Sequence, residues 1–253
     1  MIDNRQDLFR YMKFSRFVEM LQTKQISAAN PLIWDDQYES FWKMKLQSEK
    51  GQKEFRSFIN SKKNSGIKIN DEWAIANATS LCELTYKRKY AICFSKVGDS
   101  EVMWRANSYE NKAIMFKTTR NATLELQESN PDYFMSLNDI QYDLPEDSSL
   151  VPFLENTDVY NGVIGFHQFD DWFLHKRKIF DYEHETRLLI ERIDLSKDFG
   201  DRIKIEIPNL RSFINGVMVH PLAEDDHVEA VKKICGQYEI PFQGKSEIYT
   251  LKI

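Results

Sequence analysis

Two carboxylates and an arginine stand at alternate positions in "DYEHETRLLIE", with Glu183, Glu185 and Arg187 followed directly by Leu188, Leu189 and Ile190. Alternate residues of a strand share a face, so this spacing puts all three ionisable groups on one side, with His184, Thr186 and Leu188 on the other. Such a row is either a ladder pairing across to neighbouring strands or a site in which carboxylates stabilise developing positive charge or move protons. Further groups could join it. "WDDQYE" supplies Asp35, Asp36 and Glu39, read either as a helix cap with acids on the helix dipole or as a carboxylate cluster that holds a metal or organises a site. Ser95 ends the apolar run "KYAICFSK", where a turn or a site is expected. Trp104, Arg105 and Tyr109 follow on a helix or turn, where a tryptophan packed in the core is the plainer reading. Arg10 lies between large apolar residues in "LFRYMKF" and must find an anion or the surface, because an unpaired buried guanidinium is very costly.

Other chemistries lack their signatures. With 9 glycines and neither G-x-G-x-x-G nor a Walker-type loop, dinucleotide-fold and P-loop readings have no support. His167, His175, His184, His220 and His227 form no H-E-x-x-H pair, so no zinc is expected and no metal ligand is assigned, and no G-x-S-x-G elbow marks a serine nucleophile.

The elements that must carry these residues read as helices first and strands later. Helical patterns begin at Ser15, as a possible N-cap, in "SRFVEMLQTKQI"; run from Asp35 through a break near Gly51; and begin again near Asp71. Strand-like pieces follow at 90–95, 113–117, 136–143, 186–192, 202–207, 214–219 and the final "IYTLKI", with one more helix in "EDDHVEAVKKICGQY". Segregated helices and strands indicate an α+β fold, with a helix-rich N-terminal third, and no linker divides the chain, so residues 1–253 read as a single domain. The chain has 253 residues, 42% apolar content and a net charge of -5, enough for a full core and too acidic for broad attraction to nucleic acid or anionic lipid. No apolar run approaches the roughly 20 residues that cross a bilayer, and "MIDNRQDLFRYMKF" lacks a secretion signal. Cys82, Cys93 and Cys235 read as buried thiols in a reducing compartment. The expectation is a soluble cytoplasmic protein without a membrane partner; the sequence gives no oligomeric state.

Taken in order, "LFRYMKF", "WDDQYE", "YAICFSK", "SEVMWRANSYENKAIMFK", "FLHKRKIFDYEHETRLLI" and "GVMVHP" resemble a bacterial domain-of-unknown-function family, DUF family 2971. Its members begin with a K/R-Y pair and continue with a D-P-[FY]-E-like element, C-F-S, M-W and a late Lys-rich lead into Y-E-x-E-x-R. Here Gln37 replaces the proline, and Met12 stands where many members have a basic residue. The arrangement is also similar to ADP-ribosyltransferases of the Arg–Ser–Glu type. That resemblance implies a mostly antiparallel split β-sheet core and NAD as substrate, with ADP-ribose passing to a protein or nucleic-acid acceptor, or to water, an activity that would suit a bacterial toxin, effector or phage-defence protein. It implies Glu185 as the catalytic carboxylate beside the ribose, Glu183 as base for the acceptor, Arg10 on the pyrophosphate and Ser95 on the ribose or Glu185. Tyr11 or Trp104 would stack on the nicotinamide, and Arg187 would pair with a glutamate. Two other readings stay open: a non-catalytic sensor or interaction module, and a nuclease using Asp36, Glu39 and Glu183 or Glu185 around magnesium.

Overall fold

The computed structural model describes residues 5–64, 70–108, 110–144, 157–160, 163–166, 173–194 and 200–250; Tyr109 and His167 lie outside them. The strands are β1 Asp7–Lys13, β2 Gln25–Ala29, β3 Lys89–Ser95, β4 Ala113–Thr119, β5 Tyr133–Asp139, β6 Gln141–Leu144, β7 Thr157–Tyr160, β8 Val163–Phe166, β9 His175–Arg177, β10 Glu185–Arg192, β11 Arg202–Glu206, β12 Gly216–Val219 and β13 Phe242–Lys245. The helices are α1 Phe14–Thr23, α2 Phe41–Gln47, α3 Glu49–Asn64, α4 Asp71–Arg88, α5 Glu101–Asn107, α6 Arg120–Leu124, α7 Leu126–Ser129, α8 Leu210–Phe213 and α9 Asp225–Gln237. Nine strands form one mixed but mostly antiparallel sheet in the order β11-β2-β3-β1-β4-β12-β13, with β10 and β5 branching from β3; only β12 and β13 in it run parallel. Among the described residues, no helix is long and apolar enough to cross a membrane.

The branch follows from the hydrogen-bonding period of β3. One edge of β3 pairs with β10 along its whole length. Every second residue shows its backbone groups to the other edge, and there two different strands share the work: Ser95 faces Phe9 of β1, while Ala91 faces Ala29 of β2. Cys93, between them, meets neither strand, and its carbonyl accepts instead from the Arg10 guanidinium. The sheet therefore has a seam between β1 and β2, bridged by a side chain.

Packing assigns a duty to each face of the β3–β10 pair. Tyr90, Ile92, Phe94, Leu188 and Ile190 point into the main core with Phe17 and Leu21 of α1. Ala91 and Leu189 point the other way, against Phe55, Ala78 and Tyr86 of the α3–α4 layer. Farther along that second face the apolar pairs give way to Cys93 opposite Arg187 and Ser95 opposite Glu185, so one face is core at one end and polar at the other.

Several expected boundaries move. The first third holds β1 and β2 as well as its helices, and β2 takes residues expected to continue α1, which stops at left-handed Lys24 (φ 52°). Ser15 lies inside α1, whose N-cap is Lys13. The helical break falls at Ser48, whose hydroxyl donates to Lys45 O and accepts from Gly51 N; Gly51 sits within α3, where a Cβ would lie 2.0 Å from Lys45 O. The piece at 136–143 divides into β5 and β6. In the proposed terminal strand the described residues 248–250 form a turn and bend, while the last strand is the unmarked Phe242–Lys245. The three cysteines are free, but Cys93 is only half-buried.

Candidate functional site

The polar end of the β3–β10 face opens into a cavity of about 580 Å³, within the range of small-molecule sites. Arg10, Tyr11, Ser95, Glu183 and Glu185 all line it. Ser95 and Glu185 are register partners on adjacent strands, and Arg10 follows Phe9, the partner of Ser95 on its other side. Five of the six residues named from the sequence thus surround one hollow. Trp104 does not line it. It is fully buried behind Tyr11, edge-on at 4.9 Å, with its indole N–H on Asp99 Oδ1 at 2.9 Å. Trp34, 4.6 Å from the Arg187 guanidinium, and Phe180, over Lys176, are aromatic rings that do line the hollow beside the charged groups.

Glu183 is not on the strand. It ends the 3-10 helix Lys178–Glu183, and left-handed His184 (φ 42°) intervenes before β10 begins at Glu185. Its side chain nevertheless reaches the same cluster through Lys176. Lys176 Nζ lies 2.5 Å from Glu183 Oε2, 3.2 Å from Glu185 Oε2 and 3.1 Å from Glu39 Oε1, and 4.9 Å from the centre of the Phe180 ring. Arg187, 1% exposed, grips Glu185 through both carboxylate oxygens at 2.7 and 3.0 Å, and reaches Glu39 Oε2 at 3.1 Å and the Phe173 carbonyl at 2.7 Å. With its acids ionised, this cluster of Glu39, Glu183, Glu185, Lys176 and Arg187 carries one net negative charge.

The environment separates the two glutamates. Burial alone would raise the Glu185 carboxyl, but Arg187 and Lys176 outweigh it and hold it at about 2. Glu183 moves the other way: burial raises it above the ordinary carboxylate range, Lys176 opposes this, and neighbouring Glu185 and Glu39 add to it. A group that stays ionised beside one that takes a proton more readily is the pairing expected where one acid supplies charge and the other moves protons. Lys176 and Arg187 stay protonated because their carboxylates outweigh their burial.

Arg10 is the exception to this pairing. Among the described residues it makes one side-chain hydrogen bond, to Cys93 O, has no ion pair, and its buried Nε has no partner. Burial pulls its pKa down, with Cys93 and Glu185 countering. Ser95 Oγ donates to Val97 O at 2.9 Å and accepts from Val97 N at 3.0 Å. Its single proton is committed, and it can accept from a ligand hydroxyl but not donate to one.

The acidic loop divides its labour. Asp36 caps its own turn by accepting from Tyr38 N at 3.0 Å and binds Arg177 at 3.1 Å, whereas Glu39 turns inward to Arg187 and Lys176. Lys176 belongs to the basic run "HKRK" that leads into the glutamates, where the excess of acids requires a cation. Magnesium would have to displace Lys176 and Arg187 from Glu39 and Glu185, and among the described residues no group of three or more His, Cys, Asp or Glu could hold a metal ion.

No family model matches this chain, and no curated protein sequence does; the likeness to DUF family 2971 thus stays a resemblance. Among solved structures, the chain overlaps Thermus sp. 2.9 DarT in complex with NAD+ at 7% identity, over 97% of either chain, with a TM-score of 0.38. For the same protein with ADP-ribosylated ssDNA the values are 7%, 94% of this chain, 93% of that chain and 0.37. For its complex with carba-NAD+ they are 8%, 96% of either chain and 0.36. Overlap and identity at this level settle neither family nor activity, so function rests on the residues of the cavity.

Proposed function

We propose that this chain is an ADP-ribosyltransferase-like, NAD-consuming enzyme whose active site is the cavity between β1, β3 and β10. The observation that carries this reading is the meeting of Arg10, Ser95 and Glu185 at one hollow. Cleavage between nicotinamide and ribose passes through an oxocarbenium-like state, and the nicotinamide leaves neutral. The site must then supply negative charge fixed in advance in a water-poor place. The acid cluster does so with its one uncompensated charge. Arg187, Lys176 and the Cys93 thiol occupy the Glu185 oxygens, so a ribose hydroxyl reaches Glu185 by displacing Lys176, which keeps Glu183 and Glu39. Glu183, with its raised pKa, is the base for the incoming acceptor. Arg10 takes the pyrophosphate, and Tyr11 and Trp34 offer ring faces to the nicotinamide.

The test is release of nicotinamide from NAD by the purified protein, alone, with lysate and with single-stranded DNA. Release that disappears in Glu185→Gln supports the reading. ADP-ribose binding with no release under any condition would make this an interaction module, and magnesium-dependent cleavage of nucleic acid lost in Asp36→Asn would make it a nuclease.

A further inference from the structure

A second, smaller hollow of about 90 Å³ lies in the seam, walled by β1, α1, β2 and β11 and sharing Arg10 and Arg202 with the main cavity. It has room for about three waters, or for one tetrahedral oxyanion. Its charges are lopsided: Arg10, Arg16, Arg202 and Lys204 face a single acid, Glu19. Glu19 is already bound to Arg16 at 2.8 Å and to Lys204 at 2.5 Å. Strand alternation puts Arg202 and Lys204 on one face of β11 while Ile203 and Ile205 fill the core. Arg202 pairs in register with Ala29, which lines the main cavity, and its side chain has no hydrogen bond or ion pair among the described residues. Two guanidinium groups without an ion pair among the described residues thus sit close enough to repel at the junction of two hollows, with Glu185 partly offsetting the charge of Arg10. Each has donors to spare, since five N–H groups radiate from a guanidinium. Solvent screens the exposed Arg202 and Glu185 offsets part of the charge on Arg10; an anion spanning both would satisfy the donors that remain open.

We propose that Arg202 and Arg10, backed by Arg16 and Lys204, form a diphosphate clamp at the seam, so that the cavity's ligand is a nucleoside diphosphate or dinucleotide with Arg202 as its second phosphate anchor. This inference rests on the enzymatic reading for its substrate but not for its phosphate chemistry. The experiment is calorimetric binding of ADP and of inorganic pyrophosphate to wild type, Arg202→Gln, Glu19→Gln and the distant surface variant Lys233→Gln. Arg202→Gln weakens ADP about tenfold, the worth of one charge-assisted hydrogen bond, and flattens the decline of affinity with salt. Glu19→Gln, which frees Arg16 and Lys204, tightens pyrophosphate. Unchanged ADP affinity in Arg202→Gln, or an equal loss in Lys233→Gln, overturns the clamp. Because Arg202 is exposed, an unchanged melting temperature verifies that the variant folds. Loss of ADP binding in a protein that never releases nicotinamide keeps the clamp and removes the transferase; NAD turnover with unaltered KM in Arg202→Gln does the reverse.

Discussion

Arg187→Met cuts the buried ion cluster at its centre, and the size of the effect can be worked from the site. Arg187 holds Glu185 by two hydrogen bonds and Glu39 by one, all out of water. Glu185 lies at about 2 in the folded protein against an ordinary 4.5, a displacement on the order of 3 kcal/mol. Because the folded value is the lower one, this stability is present in full above about pH 4.5 and is lost as pH falls through 2. Removing the guanidinium strands two carboxylates with Lys176 as their remaining cation in the cluster, and breaking such a pair costs about 3–5 kcal/mol. With Arg187 absent, burial dominates and the Glu185 carboxyl climbs above the ordinary range, so the sign reverses: the variant gains stability as pH falls from 7 towards 5. The assay is urea unfolding at several pH values. With a slope near 3 kcal/mol per molar, the midpoint at pH 7 falls by about 1–1.7 M, and part of the loss is recovered at pH 5. A loss below about 1 kcal/mol at pH 7, or a midpoint indifferent to pH, refutes this account of the cluster.

Gly98→Ala puts a methyl 2.5–2.8 Å from three carbons of the Phe9 ring, which lines the cavity; destabilisation of about 1–3 kcal/mol is expected, largely relieved by adding Phe9→Leu, as thermal melts will report. Ser95→Ala forfeits both bonds to Val97, about 1 kcal/mol of stability, and lowers nicotinamide release by more than the lost folded fraction explains. Asp139 is raised by burial but held at about 2 by Thr186, Arg120 and Lys96, so its contribution is lost between about pH 3.8 and 2; since this carboxylate is half exposed, Asp139→Asn costs no more than about 1 kcal/mol at pH 7. Trp34→Phe removes a fluorescence change on NAD addition that Trp104, enclosed behind Tyr11, does not produce.

What could be read from the chain follows from how local its causes are. β3 and β10 announce themselves because unbroken apolar runs have few other fates, and the E-x-E-x-R spacing forces Glu185 and Arg187 onto one face. Glu183 escaped that logic because His184 takes a left-handed conformation usually left to glycine, and no glycine marks the spot. β2 was absorbed into α1 for the same reason: Lys24, not a glycine, ends the helix. The resemblance put Trp104 on the nicotinamide while its own surroundings favoured the core, and the core is where it lies, since whether an indole faces a hollow depends on what packs over it, here Tyr11 and Asp99. Lys176 stands in a basic run that does not say which acids it will meet, and Arg202 has no sequence signature at all. Their importance lies in which carboxylates, or which missing anion, the fold brings near them.

The carbonyl of Cys93 owes its partner to a side chain that a bound anion also wants. A ligand drawing Arg10 towards itself leaves that oxygen bare, at a cost of about 1–3 kcal/mol, and loosens the join between the two halves of the sheet. By reciprocity, whatever presses the halves together weakens the hold on the anion, by a factor of roughly 5–150 for an energy of that size. Anion occupancy and the strength of that one bond across the seam are then thermodynamically linked.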